Sequence, residues 1–448
     1  MGEPGRAAPA SRLGTGSRLA VLRHHDFRLL WGGELLSTVG SQMQLFAVNW
    51  QVLQLAGSRS LTLSLAGIQL GLRADALALG TLGFVRVLPT LLLALLGGAL
   101  ADTRDRRAVV TAAQLAAAAV AGTLAAVSLT GHAGIGALYL LSAAGTAAAA
   151  LAQPAQQALV PRLVERAELA NAYSLYALLW QVGALAGPPL AALAIAGAGF
   201  GVVYAVNAVS FLAVVAAVRV MRVRGAVASP ADGALRRGSL GEGWRFARTT
   251  PLIRQTLLID LYATFFGSAR GMVPLVAVRV LHLGVRGYGV LATAQPVGAF
   301  LTGTVLTLRR EIRHQGRVLL ACVGLFGAAW AAFGLVDVLA LSYLAYAVTG
   351  AADTVSYVIR TTIRQTMTPD ALRGRVVGVH LVLGDAGPEF GELEAGLVAA
   401  LAGAPAAIVV GGLATVIATG LGAWRWPELR GYREPAMEEQ AGSLRPAI

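Results

Sequence analysis

Charged side chains lie inside the apolar segments of this sequence, where an ionisable group needs an explanation. The acids are Glu34, Asp260, Asp353, Asp385, Glu389, Glu392 and Glu394, and the arginines are Arg86 and Arg270. An ionisable group at the middle of a bilayer costs about 3 kcal/mol or more. Because the acids outnumber the arginines, either some carboxyl groups hold a proton or the segments enclose an electronegative cavity. Reversible protonation of buried carboxyl groups is the chemistry that proton-coupled transport needs.

Three of these acids, Asp260, Asp353 and Glu389, are the chief candidates for carrying a proton. Asp260 lies roughly 13 Å into its segment at a rise of about 1.5 Å per residue, and the other two lie near the centres of theirs. We therefore expect the three side chains to line one central cavity. The alternative is a set of structural ion pairs, for example between Asp353 and Arg360 two helical turns further on. The further candidates for the cavity are Glu392, Glu34 and Arg86.

The composition around these charges is that of a membrane protein. Of the 448 residues, 56% are hydrophobic and only 13% are charged, whereas soluble proteins have about 25% charged residues. Too few polar residues are present to cover the surfaces of soluble domains. A spanning helix takes roughly 20 apolar residues, so twelve of them need about 240 residues and leave short loops. We therefore predict an all-α membrane protein.

Twelve apolar segments divide the chain into two sets of six predicted transmembrane helices. They cover residues 29–53, 77–100, 108–129, 134–155, 172–195, 202–220, 252–276, 288–308, 317–336, 339–363, 376–401 and 406–424. A cytoplasmic linker is predicted at 221–250, between a first half at 26–220 and a second half at 251–426. Residues 1–25 and 427–448 are predicted to be cytoplasmic tails.

An internal repeat supports this division. Gly187-Pro188 in the fifth segment and Gly387-Pro388 in the eleventh segment lie 200 positions apart. Similar cytoplasmic phrases precede both segments. Offsets of this kind arise when a transporter is built from two parallel repeats, each of which contains several helices. We therefore predict two pseudo-symmetric halves of six helices each.

The arginines set the predicted orientation in the membrane. All 36 basic residues are arginines, and 30 of them lie in the tails and connections on one side, against four on the other side and two inside segments. Cytoplasmic connections of membrane proteins carry the excess of basic residues. We therefore predict a multi-pass protein of the cell (inner) membrane with both termini in the cytoplasm. These loops explain the net charge of +13, which does not indicate nucleic-acid binding.

The sequence lacks the residues of several enzyme classes. Without lysine there is neither a P-loop for nucleotide phosphates nor Schiff-base chemistry. The single cysteine, Cys322, excludes an intramolecular disulfide and a cysteine-based metal site. The six histidines are scattered, and neither an HExxH nor a GxSxG motif is present. We therefore predict that the protein is not an enzyme and needs no cofactor or metal.

The connection after the first segment has a pattern of its own. Residues 60–73 read SLTLSLAGIQLGLR, in which leucines and one isoleucine alternate with other residues on either side of Ala66-Gly67. Alternation with a period of two around a turn signal is typical of a β-hairpin. We predict a small extracellular β-hairpin at 60–73. The alternative is an extracellular extension of the second helix.

The end of the second segment resembles motif A of the major facilitator superfamily. It reads GALADTRDRR from Gly98 to Arg107, with an acid at Asp102. Asp105 stands where that motif usually has glycine, and the second-half copy lacks the acidic residue. The Asp102 carboxylate can pair with Arg106 or Arg107, or cap a helix of the other half, and so form a gate that opens when the halves move. The alternative is that the arginines only set the topology.

A second motif, in the fifth segment, resembles the antiporter motif C of the same superfamily. It consists of Gly183, Gly187 and Pro188. Glycines one turn apart allow close helix approach and proline kinks the helix, so simple helix packing is the alternative. Residues 153–163 and 365–376 are similar to phrases of the drug:proton antiporter branch, which includes the enterobactin exporter. The resemblance extends over about residues 20–425.

The resemblance implies a fold and a function. The fold would be that of the superfamily, with two six-helix halves that alternately open to either side of the membrane. The function would be secondary active transport, namely proton-coupled export of a drug-like or siderophore-like small molecule by a monomer in a lipid bilayer. An importer is one alternative. A receptor or assembly factor that uses the same fold without transporting is the other.

Overall fold

The computed structural model of the protein describes residues 18–65, 68–223, 239–267, 269–308 and 312–433. The helices in these ranges are α1 (His25–Ala56), α2 (Ala74–Thr103), α3 (Arg106–Leu129), α4 (Ile135–Leu163), α5 (Leu169–Ala198), α6 (Phe200–Val220), α7 (Ser239–Thr249), α8 (Pro251–Phe266), α9 (Val273–Arg279), α10 (Val285–Leu291), α11 (Ala294–Leu308), α12 (Gln315–Leu335), α13 (Leu339–Met367), α14 (Asp370–Ala402), α15 (Ala404–Arg425) and α16 (Pro427–Gly431). The strands are β1 (Ser60–Leu65) and β2 (Ile68–Arg73). The protein is thus largely helical, as its composition predicts.

Nine helical segments in the described part of the chain are long and apolar enough to cross a membrane. They are Ala74–Leu100, Arg106–Leu129, Ile135–Leu163, Arg166–Ala198, Phe200–Val220, Pro251–Arg279, Val285–Leu308, Gln315–Leu335 and Ala404–Arg425. Three further long helices, α1, α13 and α14, have 32, 29 and 33 residues. At about 1.5 Å per residue, each is longer than the hydrocarbon core of a bilayer, which is about 30 Å thick. These three helices carry most of the candidate acids, which lower their hydropathy.

Two of the predicted segments are broken helices. Segment 252–276 forms α8 and α9 with a turn at Gly267, and segment 288–308 forms α10 and α11. A β-carbon at Gly267 would lie 2.5 Å from a carbonyl oxygen of α8, so glycine is required where that helix ends. Pro274 and Pro296 lie in the first turns of α9 and α11, where a missing N–H costs least. The helices therefore break at glycine and proline residues, which a count of apolar side chains does not take into account.

Strands β1 and β2 form an antiparallel pair between α1 and α2. Ser60 pairs with Arg73 at one end of the ladder and Leu65 pairs with Ile68 at the other. The turn predicted at Ala66-Gly67 lies outside the described residues. The pairing is the one that the alternating leucines predict, because a two-residue turn brings 65 and 68 opposite each other. A continuous extension of α2 is therefore not what these residues form.

The helices pack as two groups that repeat the same contacts. In the first half, α1 packs against α5 and α6, α2 packs against α4, and α3 packs against α4 and α6. In the second half, α8 packs against α14, α11 packs against α13, and α12 packs against α13 and α15. The halves meet where α2 packs against α14 and where α5 packs against α10 and α11. Under the 200-residue offset, α5 corresponds to α14, so the pairs α1–α5 and α8–α14 are equivalent.

Contacts between the halves are found at the end of the bundle that carries the strands, which we call the hairpin end. Here a β-carbon on Gly80 of α2 would lie 2.7 Å from Cα of Gly396 in α14, so the two backbones touch. Asp75, which is buried, forms a 3.0 Å ion pair with Arg279. The ring of Tyr288 stacks on Phe46 with centroids 4.4 Å apart. The opposite end, where α1 begins and α15 ends, is called the arginine end below.

Helix α7, within the predicted linker, is docked on the second half. Its Phe246 and Ala247 pack in an apolar cluster with residues of α8 and α14. Glu242 of α7 forms an ion pair with Arg375 of α14. Trp244 is exposed on the other side of the helix. The remainder of the linker, 224–238, lies outside the described residues. The described part of the linker that follows it is therefore attached to the second half.

Candidate functional site

Two adjoining cavities lie between the helices. The first, of about 430 Å³, is lined by helices of the first half, and the second, of about 290 Å³, is lined by both halves. Gln42, Leu45 and Trp180 line both cavities, so the two spaces meet at these side chains. Pockets for small molecules usually have volumes of about 300 to 1,000 Å³. Together the cavities are therefore large enough for a drug-sized molecule.

Glu34 is the acid of the first cavity. The residue is only 8% exposed, and its carboxylate accepts a hydrogen bond from Nε2 of Gln156 in α4 at 2.5 Å. The hydroxyl of Tyr176 lies nearby, buried and without a hydrogen-bond partner. Within the described residues, Glu34 has no ion pair with an arginine or histidine. A buried carboxyl group that has an amide but no cation for a partner is suited to hold a proton.

A mixed-charge cluster lies where α2 meets α14. Arg86 of α2 donates a hydrogen bond to Oδ1 of Asn49 at 3.2 Å and interacts electrostatically with Glu389 and Glu392. Arg270 also interacts with Glu392. A β-carbon on Gly83 of α2 would lie 2.6 Å from Oε2 of Glu392, which shows how closely this carboxylate approaches the first half. The cluster therefore joins charges of both halves.

The second cavity has an aromatic wall and two charged groups. Trp180, Tyr288 and Tyr346 contribute rings, while Arg270 and Asp353 contribute the charges. The Asp353 side chain is 38% exposed and the Arg270 residue is exposed, so both can contact a bound molecule. Aromatic faces bind flat rings and cationic groups.

A chain of ion pairs leads from Asp353 into the second half. Arg360 contacts Asp353 at 3.3 Å and Asp260 at 2.9 Å. Asp260 also contacts Arg364 at 3.0 Å and Nδ1 of His380 at 3.0 Å. Arg360 and Asp260 are 2% and 4% exposed. Buried charges of opposite sign at such distances satisfy each other and are held in fixed positions.

Of the three acids that we expected to line one cavity, Asp353 lines one of the two cavities and the other two acids line neither. Asp353 lines the second cavity, whereas Asp260 lines neither cavity and lies behind Arg360. Glu389 lies in the cluster with Arg86. Asp260 and Glu389 thus do not line these two cavities, and the proton-carrying role of the three acids stays a prediction. The alternative ion pair between Asp353 and Arg360 is present.

The residues of the motif A phrase bind helix ends within the first half. Asp105 accepts hydrogen bonds from the backbone N–H of Arg107 at 2.8 Å and of Ala108 at 3.4 Å, and so caps the start of α3. The Arg107 guanidinium donates to carbonyl oxygens at the end of α6, and that of Arg106 donates to a carbonyl of α4. Gly98 has no atom within 4 Å of the position of a β-carbon. The side chains of Asp102 and Asp385 lie outside the described residues.

The glycines of the motif C phrase pack α5 against α1. A β-carbon on Gly183 would lie 2.7 Å from a methyl group of Thr38, and one on Gly187 would lie 2.5 Å from Cβ of Gln42. Pro188, next in sequence, lines the second cavity. In the second half, a β-carbon on Gly387 would similarly lie 2.7 Å from the hydroxyl oxygen of Thr264 in α8. The glycines therefore allow close helix packing in both halves, and in the first half they do so at the cavity wall, which Thr38 and Gln42 line.

The comparison with known families agrees with this geometry. Residues 16–434 match the family described as transmembrane secretion effectors, within the major facilitator superfamily. The chain belongs to this family. It is therefore a major facilitator transporter, and its relatives and structural neighbours are transporters rather than enzymes.

Two named relatives of this transporter are exporters. The enterobactin exporter EntS of Citrobacter koseri is 27% identical over 342 residues, which cover 76% of this chain and 81% of the exporter. The multidrug efflux pump Tap of Mycolicibacterium fortuitum is 26% identical over 377 residues, which cover 82% of this chain and 88% of the pump. The transporter is thus similar to efflux proteins over most of its length.

Solved structures share the fold of this transporter. A bacterial homolog of the human lysosomal transporter Spinster, in an inward-facing and unoccupied conformation, has a TM-score of 0.67 and 14% identity, over 94% of this chain and 100% of that one. A POT family transporter in complex with 5-aminolevulinic acid has a TM-score of 0.67 and 10% identity, over 89% and 96% of the chains. At these identities the likeness establishes the fold alone.

Two residues of the ion-pair chain, Arg364 and His380, were missed by sequence reasoning, which named Arg360 only as a possible partner of Asp353. Arg360 and Arg364 were counted as loop arginines, but α13 continues to Met367 and buries both side chains. His380 was taken as one of several scattered histidines. The spacing of Asp353, Arg360 and Arg364 is seven and then four residues, which places them on one helical face. That periodicity is the signal that could have found the ion pairs.

Proposed function

We propose that this transporter exports a small molecule from the cytoplasm in exchange for protons, by alternating access between its two halves. The observation that carries the proposal is the Glu34 carboxyl group, which is buried at the wall of the first cavity and has an amide rather than a cation for a partner. The efflux function named for EntS and Tap supports the direction.

The proposed topology has twelve spans. The nine apolar segments are joined by α1, α13 and α14, each of which is long enough to cross the bilayer. The arginine end, with 30 of the 36 arginines, faces the cytoplasm, and the hairpin is extracellular. Because the halves touch at the hairpin end, the described state is the one open to the cytoplasm. The protein then lies in the inner membrane with both termini inside.

The proposed cycle uses the acids in different ways. In the cytoplasm-facing state the substrate enters the joined cavities and displaces the proton on Glu34, since both occupy the same negative group. Opening the hairpin end requires α2 to leave α14, which separates Arg86 from Glu392. A proton from outside then neutralises Glu34 and releases the substrate. Asp353 faces the substrate in the second cavity, and Asp102 is proposed to act in the gate at the arginine end.

The roles of the remaining candidates follow from their partners. Asp260 is held by Arg360, Arg364 and His380, so we propose that it fixes the frame of the second half rather than exchanging protons. Glu389 and Glu392 belong to the cluster that joins the halves. We propose that their interactions with Arg86 form when the hairpin end closes and break when it opens. Gly183, Gly187 and Pro188 position the cavity wall between α1 and α5.

Everted membrane vesicles with an acidified lumen test the proposal. Exchange of lumenal protons for an external substrate restores the fluorescence of a quenched pH dye inside the vesicles. The panel would contain enterobactin, because of the EntS likeness, and a lipophilic cationic drug. We expect recovery with the wild type for at least one compound and at least tenfold slower recovery with Glu34→Gln at equal protein level.

The other possible outcomes of the vesicle assay would contradict part of the proposal or favour one of the alternatives. Recovery that is the same for wild type and Glu34→Gln would contradict the role of this acid. Accumulation of compound without any response of the pH gradient would contradict proton coupling. Movement of compound out of everted vesicles would indicate an importer. Absence of movement for the whole panel would favour the receptor or assembly-factor alternative.

A further inference from the structure

The two cavities differ in the chemistry that they offer to one bound molecule. The first cavity is lined by amide and hydroxyl side chains, among them Gln114, Ser142, Gln153 and Gln156, together with the carboxyl group of Glu34 and the guanidinium of Arg86, which interacts with Glu389 and Glu392. The second cavity has a wall of aromatic rings. Because the cavities meet at Gln42, Leu45 and Trp180, one molecule can occupy both. Its two parts would then have to differ as the cavities do.

Two polar atoms of the first cavity have no partner. Oε1 of Gln114 in α3 and Oγ of Ser142 in α4 are buried and form no hydrogen bond with the described residues, and the two residues are only 5% and 6% exposed. A buried polar atom left without a hydrogen bond is destabilising. Both residues line the cavity, so a hydroxyl group of a ligand can supply the missing bonds. These two atoms favour a ligand part with a hydroxyl group.

Glu34 adds a preference for positive charge. Its carboxylate is held by Gln156 and, in the described part of the chain, by no cation. An ammonium group placed against it would supply the ion pair that the protein itself leaves out. The first cavity therefore favours a part that carries a hydroxyl group and an amine, as an amino sugar does.

The second cavity favours a flat ring system. Trp180 is 65% exposed and is shared with the first cavity, so its ring face is free to stack against a ligand at the junction. Tyr288 and Tyr346 line the same cavity. Offset stacking of aromatic rings stabilises a bound ring system beyond the burial of its area.

We propose that the substrate site takes a molecule in which an amino sugar is attached to an aromatic ring system. The sugar occupies the first cavity, with a hydroxyl group that donates to Oε1 of Gln114 and accepts from the Ser142 hydroxyl, and with its amine on Glu34. The ring system occupies the second cavity against Trp180. This proposal rests on the proposed transport function and narrows its substrate class.

The matched probes are daunorubicin, which is an anthracycline carrying an amino sugar, and its aglycone, which keeps the rings and lacks the sugar. Binding to the purified full-length protein in detergent is followed by the fluorescence anisotropy of the rings, with empty micelles subtracted. We expect the aglycone to bind at least about tenfold more weakly, as the loss of two or more hydrogen bonds and a charge contact implies. Equal binding of the two compounds, or binding of neither, would overturn the proposal.

Variants of Ser142 and Gln114 test whether the sugar binds in the first cavity. Ser142→Ala is expected to weaken daunorubicin by about threefold, and its combination with Gln114→Leu by about tenfold, without a change for the aglycone. The control is Ser356→Ala, because Ser356 is also buried with a partnerless hydroxyl but lines neither cavity. A loss of affinity for both compounds in the cavity variants, or an equal loss for daunorubicin in the control, would contradict the placement of the sugar.

The binding assay uses no ion gradient, which separates this inference from the proposed function. If proton coupling fails while the difference between the probes remains, only the function proposal is wrong. If vesicle recovery depends on Glu34 for other compounds but the probes bind equally, only the substrate class is wrong. The comparison of probes on the wild type needs no variant, so a folding defect cannot hide the result.

Discussion

The two halves each bury an acid, and they treat it in opposite ways. Glu34 of the first half is 8% exposed and has an amide donor at 2.5 Å. Asp260 of the second half is 4% exposed and has two guanidinium groups and an imidazole within 3.0 Å. Burial alone therefore does not distinguish a group that exchanges a proton from one that anchors a helix. The partners decide it, because cations around a buried carboxylate stabilise its charged form.

The largest expected effect is on the second-half acid. Asp260→Asn leaves Arg360 and Arg364 buried without their shared anion, and removing one partner of a buried ion pair typically costs about 3 to 5 kcal/mol. We expect a strongly lowered melting temperature and little folded protein, measured by fluorescence-detected gel filtration after heating. A melting temperature equal to that of the wild type would contradict the structural role of Asp260 that distinguishes it from Glu34.

The next largest effect is expected when Glu34, the buried acid of the first half, is given a cation as a partner. Gln156→Arg places a guanidinium beside Glu34, and we expect loss of dye recovery in acidified vesicles by about tenfold or more, with folded protein retained. Gln156→Met is the control, since it removes the amide without adding a charge. Recovery in the arginine variant equal to that of the control would show that an unpaired Glu34 is not needed.

A smaller effect is expected for the partly exposed acid that shares Arg360. Asp353→Asn leaves Asp260 in contact with both arginines, and the 38% exposure of Asp353 weakens its own pair. We expect a loss of about 1 kcal/mol or less in the free energy of unfolding, read from thermal melting of the purified protein. Destabilisation as large as that of Asp260→Asn would contradict this prediction and show that the fold depends on Asp353 as much as on Asp260.

A similarly small effect concerns Asp26, an acid at the start of α1 held by backbone groups. Burial alone would raise its pKa, but hydrogen bonds from His25 and from the N–H groups of Val223 and Arg222 lower it below the usual value. Because the folded pKa is the lower one, this contribution to stability is present at neutral pH and is lost as the pH falls through the folded pKa.

For Asp26→Asn we expect a loss of about 1 kcal/mol at neutral pH that shrinks on acidification. Melting curves at several pH values, compared with the wild type, would measure it. A difference that grows as the pH falls would contradict the role of the ionised carboxylate.

The sequence was sufficient for the features that depend on local patterns. Alternating leucines predicted the strands on either side of residues 66–67, and apolar runs located the helices. The repeated Gly-Pro pairs, at 187 and 387, predicted two equivalent halves, and in the structure Gly187 packs closely on Gln42 of α1 and Gly387 on Thr264 of α8. Each of these features is encoded within about ten residues, so no tertiary contact was needed to recognise it.

The ion pairs of the second half depend on contacts that no single segment encodes. The hydropathy of α13 falls at Arg360, so an apolar count ends the segment at 363, although the helix continues to Met367. Asp260, from a helix about a hundred residues earlier, contacts both arginines and so makes their burial favourable. The pairing of Glu34 with Gln156 likewise joins α1 to α4, which explains why sequence reasoning named the acid but not its partner.

The contact of Gly80 with Gly396 has a kinetic consequence. Two glycines meet with no interlocked side chains, so the surfaces of α2 and α14 at this point offer little steric resistance to sliding or parting. In the proposed cycle, the activation barrier for opening the hairpin end would then arise chiefly from the ion pair of Asp75 with Arg279 and from the charges of Arg86 and Glu392. The rate of conformational exchange would accordingly be set by electrostatics, and a bulkier residue at position 80 would change which state is populated more than how quickly the states interconvert.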